Sequence, residues 1–132
     1  MDKKPKLLNK KRILLSGKSS LNTKIFEQAI KSIDVEELIN EDEMVKFLTK
    51  IFLLEPKLIV LAHEKLEDNL EFAKHVRNNQ NFNNVPILAI SAPLKKDSII
   101  INKKITDLNI KYFYVPCNVP ELSRNINEIL EA

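Results

Sequence analysis

The residues that decide the fold run from Pro56 to Asn69 and read Pro-Lys-Leu-Ile-Val-Leu-Ala-His-Glu-Lys-Leu-Glu-Asp-Asn. Residues 58–62 are continuously apolar, and the run lies between a proline and a charged segment. This pattern is typical of a strand that is buried on both faces of a parallel sheet. Because ligands of open α/β sheets bind at the carboxyl ends of the central strands, a functional site is expected at Ala62, His63 and Glu64.

Three further apolar runs start at Arg12, Val85 and Lys111. A short acidic segment, residues 35–39, has apolar residues at 35, 38 and 39 and is predicted to be an outer strand. These strands alternate with amphipathic segments along the chain. In each amphipathic segment, apolar residues recur at spacings of three and four, which predicts a helix with one buried face. The alternation of five strands and five helices, with short connections, predicts an α/β fold with a doubly wound parallel sheet. For five strands, the flavodoxin-like order 2-1-3-4-5 is favoured.

Two helices can be described in more detail. The first is predicted over residues 21–33, with Ser19 or Ser20 as its N-cap and an apolar face formed by Leu21, Ile25, Phe26, Ala29, Ile30 and Ile33. The second is predicted to be capped by Asn40 or Asp42 and to bury a broad face, which Pro56 ends. That second face consists of Met44, Val45, Phe47, Leu48, Ile51 and Phe52.

Composition restricts the class of protein. The chain has 132 residues, one glycine and no tryptophan, which favours a single helix-rich domain over a small all-β barrel. Much of the net charge of +3 lies at the beginning of the chain, so residues 1–10 are predicted to be a basic, flexible tail and residues 11–132 a domain. The body has no basic stripe interleaved with aromatic residues, so no nucleic acid is expected as a partner.

Cellular location is predicted from what the chain lacks. Cys117 is the single cysteine, so no intramolecular disulfide can form, and no signal peptide is recognisable. No apolar run reaches the roughly 18 residues that a membrane span needs. A cytoplasmic protein with no membrane partner is expected.

Four segments make residues 11–132 similar to the receiver domain of bacterial two-component response regulators. They are Arg12-Ile-Leu-Leu; Pro56-Lys-Leu-Ile-Val-Leu, similar to P-D-L-I-L-L-D; Asn84-Val-Pro-Ile-Leu-Ala-Ile-Ser-Ala, similar to D-I-P-V-I-x-L-T-A; and Tyr112-Phe-Tyr-Val-Pro, similar to Y-L-x-K-P. They occur in the family's order and at nearly its spacing. The resemblance implies the receiver-like fold and a role in signalling.

The resemblance also implies that the phosphoryl chemistry of the family is lost. In the family, an acidic pair and a phospho-accepting aspartate hold magnesium, and a lysine pairs with the phosphoryl group. Here Gly17 and Lys18 fall on the acidic pair, Ala62 on the acceptor and Val115 on the lysine. An alanine has no nucleophilic oxygen, and magnesium needs oxygen ligands. Ser91 and Tyr112 fall on the family's two switch positions, Thr/Ser and aromatic.

Other chemistries were weighed for the same residues. Gly17-Lys-Ser resembles the end of a phosphate-binding P-loop, but Arg12 stands where the motif requires its first glycine. His63 has no second histidine at ligand spacing, so a metal or catalytic role is disfavoured, and Cys117 is expected to be packed and inert. The sequence therefore predicts no enzyme, cofactor or metal. A pocket for a small anion, formed by Lys18, Ser19, His63 and Ser91, stays an alternative.

The remaining candidate functional feature is an apolar surface around residues 99–101. Ile99, Ile100 and Ile101 are consecutive, so one helical face cannot bury all three, and at least one is expected to be exposed. Together with Tyr112 and Tyr114 they predict an apolar interaction surface on the fourth helix, fifth strand and fifth helix, since exposed apolar patches are often interaction sites. Packing of one isoleucine under a loop is an equal alternative. The expected function is a phosphorylation-independent pseudo-receiver that binds a signalling protein or a second copy of itself. An active phospho-accepting regulator is the disfavoured alternative.

Overall fold

The computed structural model describes residues 11–18, 20–93 and 99–132, with five strands in one sheet. In chain order the elements are β1 (Arg12–Ser16), α1 (Ser20–Ala29), β2 (Glu37–Asn40), α2 (Met44–Leu54), β3 (Leu58–Leu61), α3 (Leu66–Arg77), a 3₁₀ turn (Gln80–Phe82), β4 (Ile87–Ser91), α4 (Ile99–Asp107), β5 (Ile110–Tyr114) and α5 (Val119–Glu131). The predicted tail, Ser19 as a cap and the start of the fourth helix at Ser98 lie outside the described residues.

The sheet is parallel throughout, and its order is β2-β1-β3-β4-β5. This confirms the predicted fold class and strand order. All four residues of β3 are fully buried. Leu58 and Val60 pack on the layer that contains α1 and α5, whereas Ile59 and Leu61 pack on the layer that contains α2 and α3. The carboxyl ends of β1, β3 and β4 consequently meet in the middle of one edge of the sheet.

The first helix is shorter than predicted, and its first turn buries a different residue from the one predicted. It ends at Ala29, and residues 30–32 form a turn. Leu21, which was expected to face the sheet, is 59% exposed, whereas Asn22 is 3% exposed. The reason is a hydrogen bond: the Asn22 side chain donates to the backbone oxygen of His63 at 3.0 Å, which orients this face of the helix towards the edge of the sheet.

The second helix differs from its prediction in two respects. Glu43 is its N-cap, and the Glu43 carboxylate accepts a hydrogen bond from the Lys46 backbone N–H; neither Asn40 nor Asp42 has this role. Of the predicted apolar face, Phe47 and Ile51 are buried, but Val45 and Phe52 are 67% and 65% exposed. The helix is more apolar than its one contact with the sheet requires.

Arg77, the last residue of α3, links three segments at the amino ends of β4 and β5. Its guanidinium donates to five backbone carbonyls, which belong to the 3₁₀ turn, to the segment before β4 and to the connection between α4 and β5. The distances lie between 2.8 and 3.2 Å, and the acceptors are the carbonyls of Phe82, Asn83, Val85, Leu108 and Asn109. One cation thus satisfies carbonyl groups of three separate segments.

Candidate functional site

The candidate site lies where β1 and β3 end side by side. Ala62 follows β3, is fully buried, and donates its backbone N–H to the carbonyl of Ser16 at 2.7 Å. Gly17 is packed against it so closely that a Cβ atom at Gly17 would lie within 3.0 Å of the C, O and Cα atoms of Ala62. Glycine is required here for close backbone approach. No side chain separates the two strands at this point.

Asp42, which follows β2, has a carboxylate at the same edge of the sheet. Its Oδ1 atom accepts a hydrogen bond from the backbone N–H of Gly17 at 2.8 Å. The sequence predicted Asp42 as a candidate helix cap, but the neighbouring Glu43 takes that role. Asp42 therefore stabilises the β1–α1 connection, which sequence reasoning did not foresee.

His63 points back across the ends of the strands. Its Nε2 atom lies 3.0 Å from the Ser16 hydroxyl, and its ring packs on Phe72 with a centroid distance of 4.4 Å. Burial lowers the pKa of the His63 imidazole, and the charge of Lys18 lowers it further, while Asp42 and Asp68 oppose the shift. At neutral pH the ring is accordingly uncharged and serves as a packed hydrogen-bonding group.

A buried asparagine joins the second half of the site. Asn69 in α3 is fully buried, and its Oδ1 atom accepts from the His63 backbone N–H at 2.9 Å. Its Nδ2 atom donates to the carbonyl of Ile90 at 3.3 Å and to the Tyr112 hydroxyl at 3.0 Å. The Tyr112 hydroxyl in turn lies 2.7 Å from the Ser91 hydroxyl. Ser91 and Tyr112, predicted for different sites, thus belong to one hydrogen-bonded chain.

Lys18, Val115 and Cys117 contribute charge or packing at this edge of the sheet. Lys18 is exposed, so its charge is available at this edge of the sheet. Val115 is half-buried and packs on the layer of α1 and α5, and its backbone N–H donates to the Ser91 carbonyl at 3.0 Å. Cys117 packs in the same layer, and burial raises the pKa of its thiol, which makes it a poor nucleophile at neutral pH.

Sequence reasoning missed Asn69, although a signal for it was present. Asn69 follows Leu66 by three residues and precedes Ala73 by four, and both of these are buried. Helical spacing therefore places Asn69 on the buried face of α3. A polar side chain on such a face needs hydrogen-bond partners inside the protein, and this need marks Asn69 as a candidate site residue.

The predicted interaction surface is partly exposed. Ile99 and Ile100 are 86% and 68% exposed, and Tyr114 is 36% exposed. Ile101 and Tyr112 are half-buried, and both pack against the layer that contains α2 and α3. The rings of Tyr112 and Tyr114 are in contact, with a centroid distance of 5.0 Å. The expectation that at least one isoleucine is exposed is confirmed.

No protein-family model matches the sequence, and no curated protein matches it. Solved structures do. A signal receiver domain of a DNA-binding response regulator from Colwellia psychrerythraea matches with a TM-score of 0.72 and 14% identity, over 92% of this chain and 98% of that one. A chemotaxis protein of Vibrio cholerae matches with a TM-score of 0.69 and 15% identity, over 91% of this chain and 98% of that one.

The chain has the receiver fold. A third receiver domain, from a histidine kinase of Arabidopsis thaliana and crystallised with Mg²⁺ and BeF₃⁻, matches with a TM-score of 0.65 and 17% identity, over 92% of this chain and 91% of that one. Identities this low show a common fold. In the described part of the receiver fold, no helix is long and apolar enough to cross a membrane.

The residues at this site of the receiver fold do not suit the magnesium ion that the fold implies. Magnesium prefers an octahedron of oxygen ligands that includes one or two carboxylates. Gly17, Lys18 and Ala62 have no carboxylate, and the carboxylate oxygen of Asp42 described above is bonded to the Gly17 N–H. Within residues 11–18, 20–93 and 99–132, no three acidic, histidine or cysteine side chains cluster closely enough to hold a metal ion.

Proposed function

We propose that this protein is a phosphorylation-independent pseudo-receiver, a non-catalytic domain that acts in bacterial signalling by binding another protein. The observation that carries the proposal is the contact between Gly17 and Ala62. Ala62 stands at the acceptor position with a methyl side chain, and Gly17 stands at an acidic position with no room for a Cβ atom. The nucleophile is absent, and the space in which a metal-binding side chain would begin is filled by backbone.

The rest of this edge supports the same proposal. Lys18 adds a positive charge beside the position of the missing acid, and Val115 stands where the family has its lysine. His63 and Asp42 are engaged in hydrogen bonds within the fold. These bonds hold both side chains in place as parts of the scaffold.

The proposed binding surface lies on α4, β5 and α5. Its centre is formed by Ile99, Ile100 and Tyr114, and it is bordered by the half-buried Ile101 and Tyr112. None of the α4 residues is buried, so its apolar side chains are at least partly exposed. Such a patch favours a protein partner or a second copy of the chain.

The experiment uses amide NMR spectra of the full chain. Mg²⁺ and BeF₃⁻ are added first, because this pair is present in the structure of the Arabidopsis receiver domain. We expect no shifts at Ala62 and Ser91, while a phosphate-accepting receiver domain measured in parallel responds. Saturable shifts around Ala62 would sink the proposal and support an active phospho-acceptor.

A second series of spectra tests the anion alternative, which one observation favours: Lys18 is exposed at the edge of the sheet. Inorganic phosphate, ATP and GTP are titrated in turn, and the Lys18→Ala variant is the matched control. We expect no saturable response. Saturable shifts that disappear in the Lys18→Ala variant would establish anion binding instead, with Lys18, His63 and Ser91 as the residues to examine.

A further inference from the structure

The hydrogen bonds around Asn69 form a chain with a defined direction. The His63 backbone N–H can only donate, so it fixes the Oδ1 atom of Asn69 on its side. The Ile90 carbonyl can only accept, so it fixes the Nδ2 atom on the other. The second hydrogen of Nδ2 is then directed at the Tyr112 hydroxyl, 3.0 Å away. Two backbone groups thus determine the orientation of the buried amide.

The direction of the next bonds follows from this one. Ser91 donates its hydroxyl hydrogen to the carbonyl of Ala92 at 3.1 Å. Because that hydrogen is used, the Tyr112 hydroxyl donates to Ser91 Oγ across the 2.7 Å separation, and it accepts from Asn69. The phenol of Tyr112 is therefore held inward by one accepted and one donated hydrogen bond.

Tyr112 connects this chain to the surface. Its ring packs on the ring of Tyr114 at a centroid distance of 5.0 Å and an interplanar angle of 30°. Tyr114 is at the centre of the proposed binding surface. An outward rotation of Tyr112 would remove its ring from this contact and would expose it beside β5.

We propose that Asn69 is the positioning residue that holds Tyr112 inward and thereby keeps the surface of α4, β5 and α5 in a single state. The inference rests on the proposed function, since it explains how such a surface is set without phosphorylation. Asn69 has this role rather than Ser91 because its amide is fixed by two backbone groups. The hydroxyl of Ser91 rotates about a single bond and already has the Ala92 carbonyl as a partner.

The test measures where Tyr112 lies. The chain has two tyrosines and no tryptophan, so in a Tyr114→Phe background the absorbance at 295 nm reports the ionisation of Tyr112 alone. Burial raises the pKa of the Tyr112 phenol, while its hydrogen bonds with Ser91 and Asn69 oppose the rise, and the nearby Tyr114 and Glu67 add to it. In the background variant we expect a phenol pKa above the value of an exposed tyrosine, about 10.

The decisive variant is Asn69→Leu, which replaces the buried amide with an apolar side chain of similar size in α3. If Asn69 holds the ring inward, the phenol moves into solvent and its pKa falls to about 10. If the ring stays inward regardless, the pKa rises further, because the phenolate has lost the N–H that stabilised it. The direction of the change therefore decides the matter, and a rise overturns the proposal.

Two further variants keep the test valid. Ser91→Ala removes the other partner of Tyr112, and we expect the phenol pKa to stay above about 10, since Asn69 remains. If Asn69→Leu fails to show a cooperative thermal transition, Asn69→Asp replaces it. The carboxylate can accept from both the His63 N–H and the Tyr112 hydroxyl, so the ring should stay inward and the phenol pKa should rise. A fall of the phenol pKa in the Ser91→Ala variant or in the Asn69→Asp variant contradicts the proposal, and none of these readings depends on the response to BeF₃⁻.

Discussion

Replacing Gly17 with alanine should destabilise the protein much more than a substitution at an ordinary loop position. The added Cβ would lie within 3.0 Å of three backbone atoms of Ala62. These atoms follow directly on β3, whose residues are all fully buried. Because a central strand cannot yield easily, the connection between β1 and α1 has to move away from it.

The size of the effect follows from what that movement disturbs. Overpacking of a close-packed interior costs about 1–3 kcal/mol. The movement also strains two hydrogen bonds, from Ala62 N–H to the Ser16 carbonyl at 2.7 Å and from Gly17 N–H to the Asp42 carboxylate at 2.8 Å. Since a typical bond contributes about 1 kcal/mol, we expect a total loss of about 3 kcal/mol. For a domain of this size, that loss lowers the midpoint of thermal unfolding by about 10 °C.

Urea unfolding, followed by circular dichroism, measures the free energy of unfolding of the Gly17→Ala variant. The control is Lys18→Ala, because Lys18 is the exposed neighbour and its substitution should change the free energy by no more than about 0.5 kcal/mol. A Gly17→Ala variant as stable as this control would refute the reasoning. The loop could then accommodate a side chain, and the steric argument against an acidic residue at this position would be lost.

Three further predictions concern other parts of the chain. Arg77→Met should lower the free energy of unfolding by about 3 kcal/mol, because five backbone carbonyls lose their hydrogen-bond donor. Substitution of the exposed Arg124 by Met should change it by less than about 0.5 kcal/mol, and equal effects of the two substitutions would show that the Arg77 guanidinium is not needed for stability. Burial lowers the pKa of His63, so as the pH falls the unfolded chain binds a proton before the folded protein does; the contribution of His63 to stability is therefore complete above pH 6.5 and falls as the pH drops towards the folded-state pKa. Urea midpoints measured across this pH range should fall less in the His63→Gln variant. Ile100→Glu should weaken association in sedimentation equilibrium while leaving thermal unfolding nearly unchanged; the equally exposed Phe52→Glu is the control, and an equal loss with it would place the interface elsewhere.

The sequence was sufficient for the sheet because four of its five strands are mostly apolar local runs, and the fifth, β2, lies at an edge of the sheet. Residues 58–61 are buried on both faces, which a continuous apolar run predicts directly. Strand order followed from the strict alternation of strands and helices, since right-handed crossovers leave few arrangements. These properties depend on patterns within short segments, so a single sequence contains them.

The details of the site could not be read in the same way, because they depend on contacts between distant segments. Asp42 and Glu43 are adjacent acidic residues before the same helix, and aspartate is the more usual N-cap of the two. The choice is made by Gly17, whose backbone N–H lies within reach of Asp42 in the folded protein. Similarly, Leu21 is an apolar residue at a helical spacing, but the bond from Asn22 to the His63 carbonyl favours the neighbouring face.

The second helix shows that hydrophobic periodicity does not predict the width of a buried face. Periodicity reveals which residues can share a face, but it does not reveal how wide the contact with the sheet is. Val45, Phe52 and Leu53 are each about two-thirds exposed although the helix is almost entirely apolar. An apolar side chain on a surface does not contradict the fold, because much of any protein surface is apolar.

The hydrogen bonds of the candidate site favour a structural role for its polar side chains over a chemical one. In the described residues, every buried polar side-chain atom has a hydrogen-bond partner. A group poised for chemistry commonly departs from this rule, because it must be free to bind the reacting molecule. Here Asp42, His63 and Asn69 each have a side-chain polar atom that is hydrogen-bonded within the fold. A protein that covers Ile100 would break none of these bonds and would remove apolar surface from water.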